Sequence, residues 1–102
     1  MEAYTTMTEA VEGLKSRGFS ANFEVVDDKL QSMESGQQFV AEDLVLVEHH
    51  RFEGITNPSD ESIVYAIESK DGTRGVLVDA YGTYADPAVS ALVKKIEHSP
   101  AG

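Results

Sequence analysis

Ser62-Ile63-Val64-Tyr65-Ala66-Ile67-Glu68-Ser69-Lys70-Asp71-Gly72-Thr73-Arg74-Gly75-Val76-Leu77-Val78-Asp79-Ala80-Tyr81 places two apolar segments on either side of an Asp-Gly step. That dipeptide is the strongest short-range mark of a tight antiparallel hairpin. Folding the chain about Asp71-Gly72 as a two-residue turn sets Lys70 opposite Thr73. Counting outward then pairs Ile67 with Val76, Tyr65 with Val78 and Ile63 with Ala80. These six side chains share one face, and a slip by one residue would turn a strand's whole set to the other side. The opposite face carries Val64, Ala66 and Leu77 beside Asp79. Such a surface is either covered by loops or used for association, which predicts a monomer or a weak homodimer through Val64, Ala66 and Leu77.

Outward from the hairpin, both ends of the chain read as helices. Thr6-Met7-Thr8-Glu9 has the spacing of a capping box, and Met7, Ala10, Val11 and Leu14 follow on one helical face before Gly18 offers a left-handed stop. A helix over about residues 6 to 17 is expected. Asp86-Pro87 supplies an N-cap with proline at the first helical position. Val89, Leu92, Val93 and Ile96 then form an apolar stripe, with Lys94 and Lys95 near the C-terminal end.

Between them, Glu24 to Val26 and Lys29 to Met33 read as a short hairpin about Asp27-Asp28, and Phe39 to Asp43 as an irregular turn. Leu44 to Phe52 reads as a strand that emerges from the core, and Gly54 to Glu61, containing Asn57-Pro58, as a connection. The expected fold is α+β: an antiparallel sheet of four to five strands with an N-terminal and a C-terminal helix packed on one face. Residues 1–98 form the single domain, and 99–102 a frayed tail.

The chain has 102 residues, 41% of them hydrophobic, and no cysteine. Neither a disulfide nor a thiolate metal site is available, and the compartment leans to the cytoplasm. Neither a signal peptide nor a membrane-spanning helix is expected, since the N-terminal residues lack a basic region followed by an apolar run. Eighteen Asp and Glu against eight Lys and Arg give a net charge of -10, which repels phosphate backbones and anionic lipid. Nucleic acid and membrane are therefore not expected partners. The acids are spread along the chain, as on a solubilising surface or in a protein of a high-salt cytoplasm; an acidic face for a basic partner is the sharper alternative.

Several groups carry chemistry. Asp27-Asp28 follows an apolar strand as in phosphoribosyl-binding loops, but Met33 stands after Ser32 where a small residue is needed, so an acidic hairpin turn is expected. His49 and His50 are neighbours on a strand and point to opposite faces, so they cannot grip one ion. Glu48 and His50 share a face, as do His49, Arg51 and Glu53. No metal and no cofactor is expected, and the serines show no recognisable triad spacing. Arg51, Glu53, Asp79, Tyr81 and Tyr84, with Asp86, cluster after two apolar strand segments. If those strands are neighbours, a guanidinium, carboxylates and phenols converge at one end of the sheet. Simple ion pairing and packing of the phenols is the alternative.

Arg51-Phe52-Glu53-Gly54, Asn57-Pro58-Ser59-Asp60, Val64-Tyr65-Ala66-Ile67 and Gly75-Val76-Leu77-Val78-Asp79-Ala80-Tyr81-Gly82-Thr83-Tyr84-Ala85-Asp86 together resemble a family of short bacterial proteins, chiefly of Bacteroidetes type. Many members bear the name phosphoribosylpyrophosphate synthetase. The resemblance is specific from residue 51 to 86 and loose from 20 to 48. It implies this family's fold and, by that name, an enzyme acting on a phosphorylated or nucleotide-like small molecule. The phosphate loop and magnesium ligands of the long synthetases have no counterparts here, so no catalytic residue is carried over. From the residues themselves, a non-catalytic module binding a small molecule or a protein is expected, presenting Arg51, Glu53, Asp79, Tyr81 and Tyr84.

Overall fold

Thr6 and Glu9 start the first helix by satisfying each other's backbone. In the computed structural model, which describes residues 6–52, 62–80 and 86–97, the Glu9 N–H donates to the Thr6 hydroxyl at 3.1 Å. The Thr6 N–H donates to the Glu9 carboxylate at 3.2 Å. This reciprocal box opens α1 (Met7–Ser16) as the spacing predicts, and Gly18 follows its end at φ +105°. At the other end of the chain the Ala88 N–H donates to Asp86 Oδ1 at 2.9 Å and α2 (Pro87–Glu97) begins. Val89, Leu92, Val93 and Ile96 are all buried. Neither helix is long and apolar enough to cross a membrane.

The strands are β1 (Ala21–Val26), β2 (Lys29–Ser32), β3 (Gln38–Phe39), β4 (Leu44–Phe52), β5 (Ser62–Ser69) and β6 (Arg74–Ala80), with a 3-10 turn at Ala41–Asp43 before β4. They form one six-stranded sheet in the order β3-β2-β1-β6-β5-β4. Two antiparallel meanders, β1-β2-β3 and β4-β5-β6, are joined by a short parallel seam in which Ala21 pairs with Gly75 and Asn22 with Val76. The sheet is therefore mixed and six-stranded, not antiparallel with four or five strands. β3 is too short to show an alternating pattern, and a parallel seam between distant segments leaves no local signature.

The main hairpin turns through three residues rather than two. Ser69 donates its N–H to the Thr73 carbonyl at 2.8 Å, and Gly72 donates to the Ser69 carbonyl at 3.0 Å. Gly72 sits at φ +92°, the left-handed position that closes a three-residue loop. Asp71 holds this loop: its Oδ1 accepts from the Ser69 hydroxyl and from the Thr73 N–H, and its Oδ2 from Gln37 Nε2 at 3.1 Å. These bonds, the Ser69 hydroxyl first among them, hold the Asp71 carboxyl well below the usual carboxylate range. Every cross-strand pair consequently moves by one. Ile67 pairs with Gly75, Tyr65 with Leu77, Val64 with Val78, Ile63 with Asp79 and Ser62 with Ala80.

That single step redistributes the core. Ile67 and Leu77 pack with Phe23, Leu30, Phe39, Leu44 and the α2 stripe, with Tyr65 against them. Val64, Ala66 and Val76 pack with Ala10, Leu14 and Phe19. Alternate residues of β5 thus serve opposite helices, and α1 and α2 cover opposite faces of the sheet instead of one. Ile67 and Val76, expected together, lie on opposite faces. Val64, Ala66 and Leu77 are at most 2% exposed and do not share a face, so the association surface expected of them does not exist.

A bulge makes the same correction in β4. Leu46 pairs with Ile67 but Glu48 with Ala66, leaving Val47 as the extra residue. Leu44 and Leu46 therefore enter the α2 core, whereas Glu48, His50 and Phe52 turn to the α1 face and His49 and Arg51 to the α2 face.

Candidate functional site

Of the five residues expected at the site, Arg51 and Asp79 are described; Glu53, Tyr81 and Tyr84 lie outside the described residues. Arg51 and Asp79 are both in register with Ile63, one from β4 and the other from β6. They stand on the α2 face at one end of the sheet, two strands apart, with backbones separated by roughly 9–10 Å.

The next row inward adds two groups that the sequence did not assign to this place. His49 and Leu77 are both in register with Tyr65, and the His49 and Tyr65 rings lie 6.3 Å apart at an interplanar angle of 43°. Burial pushes the Tyr65 phenol up, the carboxylates of Asp79 and Glu97 push it further, and Arg51 opposes them. At neutral pH the phenol is a protonated hydrogen-bond donor among charges of both signs. Tyr65 had been expected in the core, and the bulge that sends His49 to the same side as Tyr65 has no local signature.

Asp79 also has a structural task. Both of its carboxylate oxygens accept from the Asp86 N–H, at 3.3 Å each, which ties the end of β6 to the start of α2. The rim is thus built by the sheet register on one side and the α2 cap on the other.

A second constellation lies on the α1 face. Arg17, the C-cap of α1, forks onto Glu48 with Nη1 at 3.0 Å and Nη2 at 2.7 Å, and His50 Nε2 lies 2.7 Å from Glu48 Oε2. The Arg17 hydrogen bonds, with a smaller contribution from His50, hold the Glu48 carboxyl at about 2. Glu48 and His50 do share a face, as expected, and the cluster clamps the end of α1 to β4. Among the described residues no group of three or more His, Asp or Glu side chains converges as metal ligands would.

Asp27-Asp28 is the hairpin turn expected of it: Val26 pairs with Lys29 across the two residues, at φ 51° and 64°. Ser32, the residue nearest to a phosphate-loop hydroxyl, is buried and donates to Glu34 Oε1 at 3.4 Å.

Compared with protein-family models, curated proteins and solved structures, the chain finds no match in any of the three.

Proposed function

We propose that the protein is a non-catalytic binding module whose site is the rim at the end of β4 and β6, with Arg51 and Asp79 at its centre. The observation that supports it most directly is their shared register with Ile63, which sets a cation and a carboxylate on one face beside the protonated Tyr65 phenol and His49. Opposite charges on the outer two of three strands, with a donor and a ring in the next row inward, orient a polar ligand or a protein side chain. They supply no nucleophile paired with a base. Glu53, Tyr81 and Tyr84 belong to this proposal through their sequence positions alone, next to Phe52 and Ala80. The resemblance to the short bacterial family fits a domain of this size.

Two measurements test the reading. Affinity capture with the wild-type protein and with Arg51→Glu should yield a partner retained by the first and lost by the second, with the thermal midpoint unchanged. A ligand present at a hundred times its Kd should stabilise the fold by about 2.7 kcal/mol. A thermal-shift screen with ribose 5-phosphate, ATP and phosphoribosyl pyrophosphate, each with and without magnesium, addresses the enzyme that the family name implies. A magnesium-dependent shift followed by turnover would replace the binding-module reading. Capture that is identical for wild type and Arg51→Glu would move the site away from the rim.

A further inference from the structure

A separate cleft lies on the seam between the two meanders, away from the rim. It has a volume of about 350 Å³ and is lined by Gly18, Ser20, Ser32, Glu34, Thr73 and Arg74, among others. Four segments meet there: the end of the α1–β1 loop, the end of β2, the main hairpin loop and the start of β6.

The cleft holds one charge of each sign, and each is held by its surroundings. Glu34 Oε1 accepts from the Asn22 N–H at 3.0 Å, and Oε2 accepts from the Asn22 side-chain amide. The backbone bond, followed by the amide, keeps the carboxyl below its ordinary range, so it is ionised at neutral pH. Arg74 Nε lies 3.5 Å from Glu68 Oε2, and the guanidinium lies over the Phe19 ring at 5.5 Å from the centroid. Its Nη1 lies 3.7 Å from the point that a Cβ on residue 18 would occupy. The guanidinium borders the cleft beside Gly18, and no described residue hydrogen-bonds to its two terminal nitrogens.

From this arrangement we infer that the cleft binds a small zwitterion of the α-amino-acid type, its carboxylate on the Arg74 fork and its ammonium on Glu34, with Ser20 and Thr73 hydroxyls at the sides. Guanidinium matches carboxylate in a bidentate geometry. Charge selects against the simpler ligands. A net charge of -10 repels phosphate and dicarboxylates at long range, whereas a zwitterion carries no net charge and meets no such barrier. A lone cation would be drawn to the many other surface acids and would not select this cleft.

The test is an amide-resolved NMR titration of the 15N-labelled full chain with a panel of free α-amino acids. Acetate serves as the carboxylate alone, methylamine as the ammonium alone, and inorganic phosphate as the competing anion. At least one amino acid should shift the amides of Asn22, Glu34, Thr73 and Arg74 saturably, while acetate and methylamine bind at least about tenfold more weakly, the loss of one charge-assisted contact. Glu34→Gln and Arg74→Gln should each weaken binding by about tenfold or more, with their spectra reporting that the fold is kept. The wild-type titration stands alone if either variant fails to fold. Absence of saturable shifts at these amides with every amino acid overturns the inference, as does acetate or phosphate binding as tightly as the best amino acid. Shifts centred on His49, Arg51 and Asp79 instead would overturn it while leaving the rim proposal in place.

Discussion

Gly75 and Ala21 meet at the seam of the sheet with no room for a side chain between them. A Cβ on residue 75 would stand 2.5 Å from the Ala21 carbonyl oxygen, 2.8 Å from the Ala21 Cβ and 2.7 Å from Phe23 Cε2. Gly75→Ala should destabilise the fold by about 2 kcal/mol, because backbone and a buried ring must both yield. Urea denaturation measures this. Stability within about 0.5 kcal/mol of wild type would mean that the two meanders are not joined as described.

The Asp27-Asp28 turn strains two ordinary residues into left-handed backbone at φ 51° and 64°. Replacing the pair by Asn-Gly, the preferred dipeptide for such a turn, should raise stability by about 0.5–1 kcal/mol. In a domain of this length that corresponds to a thermal midpoint higher by a few degrees. A lower midpoint would show that these carboxylates do something other than turn the chain.

Glu48 gives the fold a specific acid sensitivity. The Arg17 hydrogen bonds hold its folded carboxyl at about 2, below the ordinary carboxylate range. The stabilisation is therefore complete above the unfolded value and is lost as pH falls through the folded one. The Arg17 side chain is 39% exposed, and solvent screening reduces the contribution to about 1 kcal/mol. Glu48→Gln should cost this much at pH 7, and the difference from wild type should shrink by half or more on acidification to about pH 2. A pH-independent difference would assign the effect to packing.

Asp79 serves both the rim and the start of α2. Asp79→Ala should lower global stability by about 1 kcal/mol through loss of the Asp86 contact and should speed hydrogen exchange at the first-turn amides of α2. Arg51 is exposed, and Arg51→Ala should change stability by less than about 1 kcal/mol, which makes it the cleaner probe of binding. Unchanged exchange in α2 on loss of the Asp79 carboxylate would release this residue from its structural role.

Helix boundaries, the acidic turn and the strand span of β4 were legible because each depends on residues close in sequence. Thr6 reaches Glu9, Asp86 reaches Ala88, and Val26 meets Lys29 across two residues. The rim was half legible: Arg51 and Asp79 follow apolar strand segments, but a two-residue turn would put Asp79 on the face opposite Ile63, and the three-residue loop brings it into register with Ile63 and Arg51. The alignment of His49 with Tyr65 was not, because it depends on the Val47 bulge, which does not alter the local pattern of apolar residues.

Read alone, the chain determines where it turns and where its helices begin, since capping, left-handed backbone and proline placement act over a few residues. Which side of the ribbon each apolar residue serves was decided in three dimensions. The Asp71 bonds to Ser69, Thr73 and Gln37 hold the longer loop, and Gly75 must face Ala21 across the seam. One residue of register, set by those contacts, sends Ile67 under α2 and Val76 under α1. An alternating strand that is apolar on both faces fits either register, and only the helices packed against it choose between them.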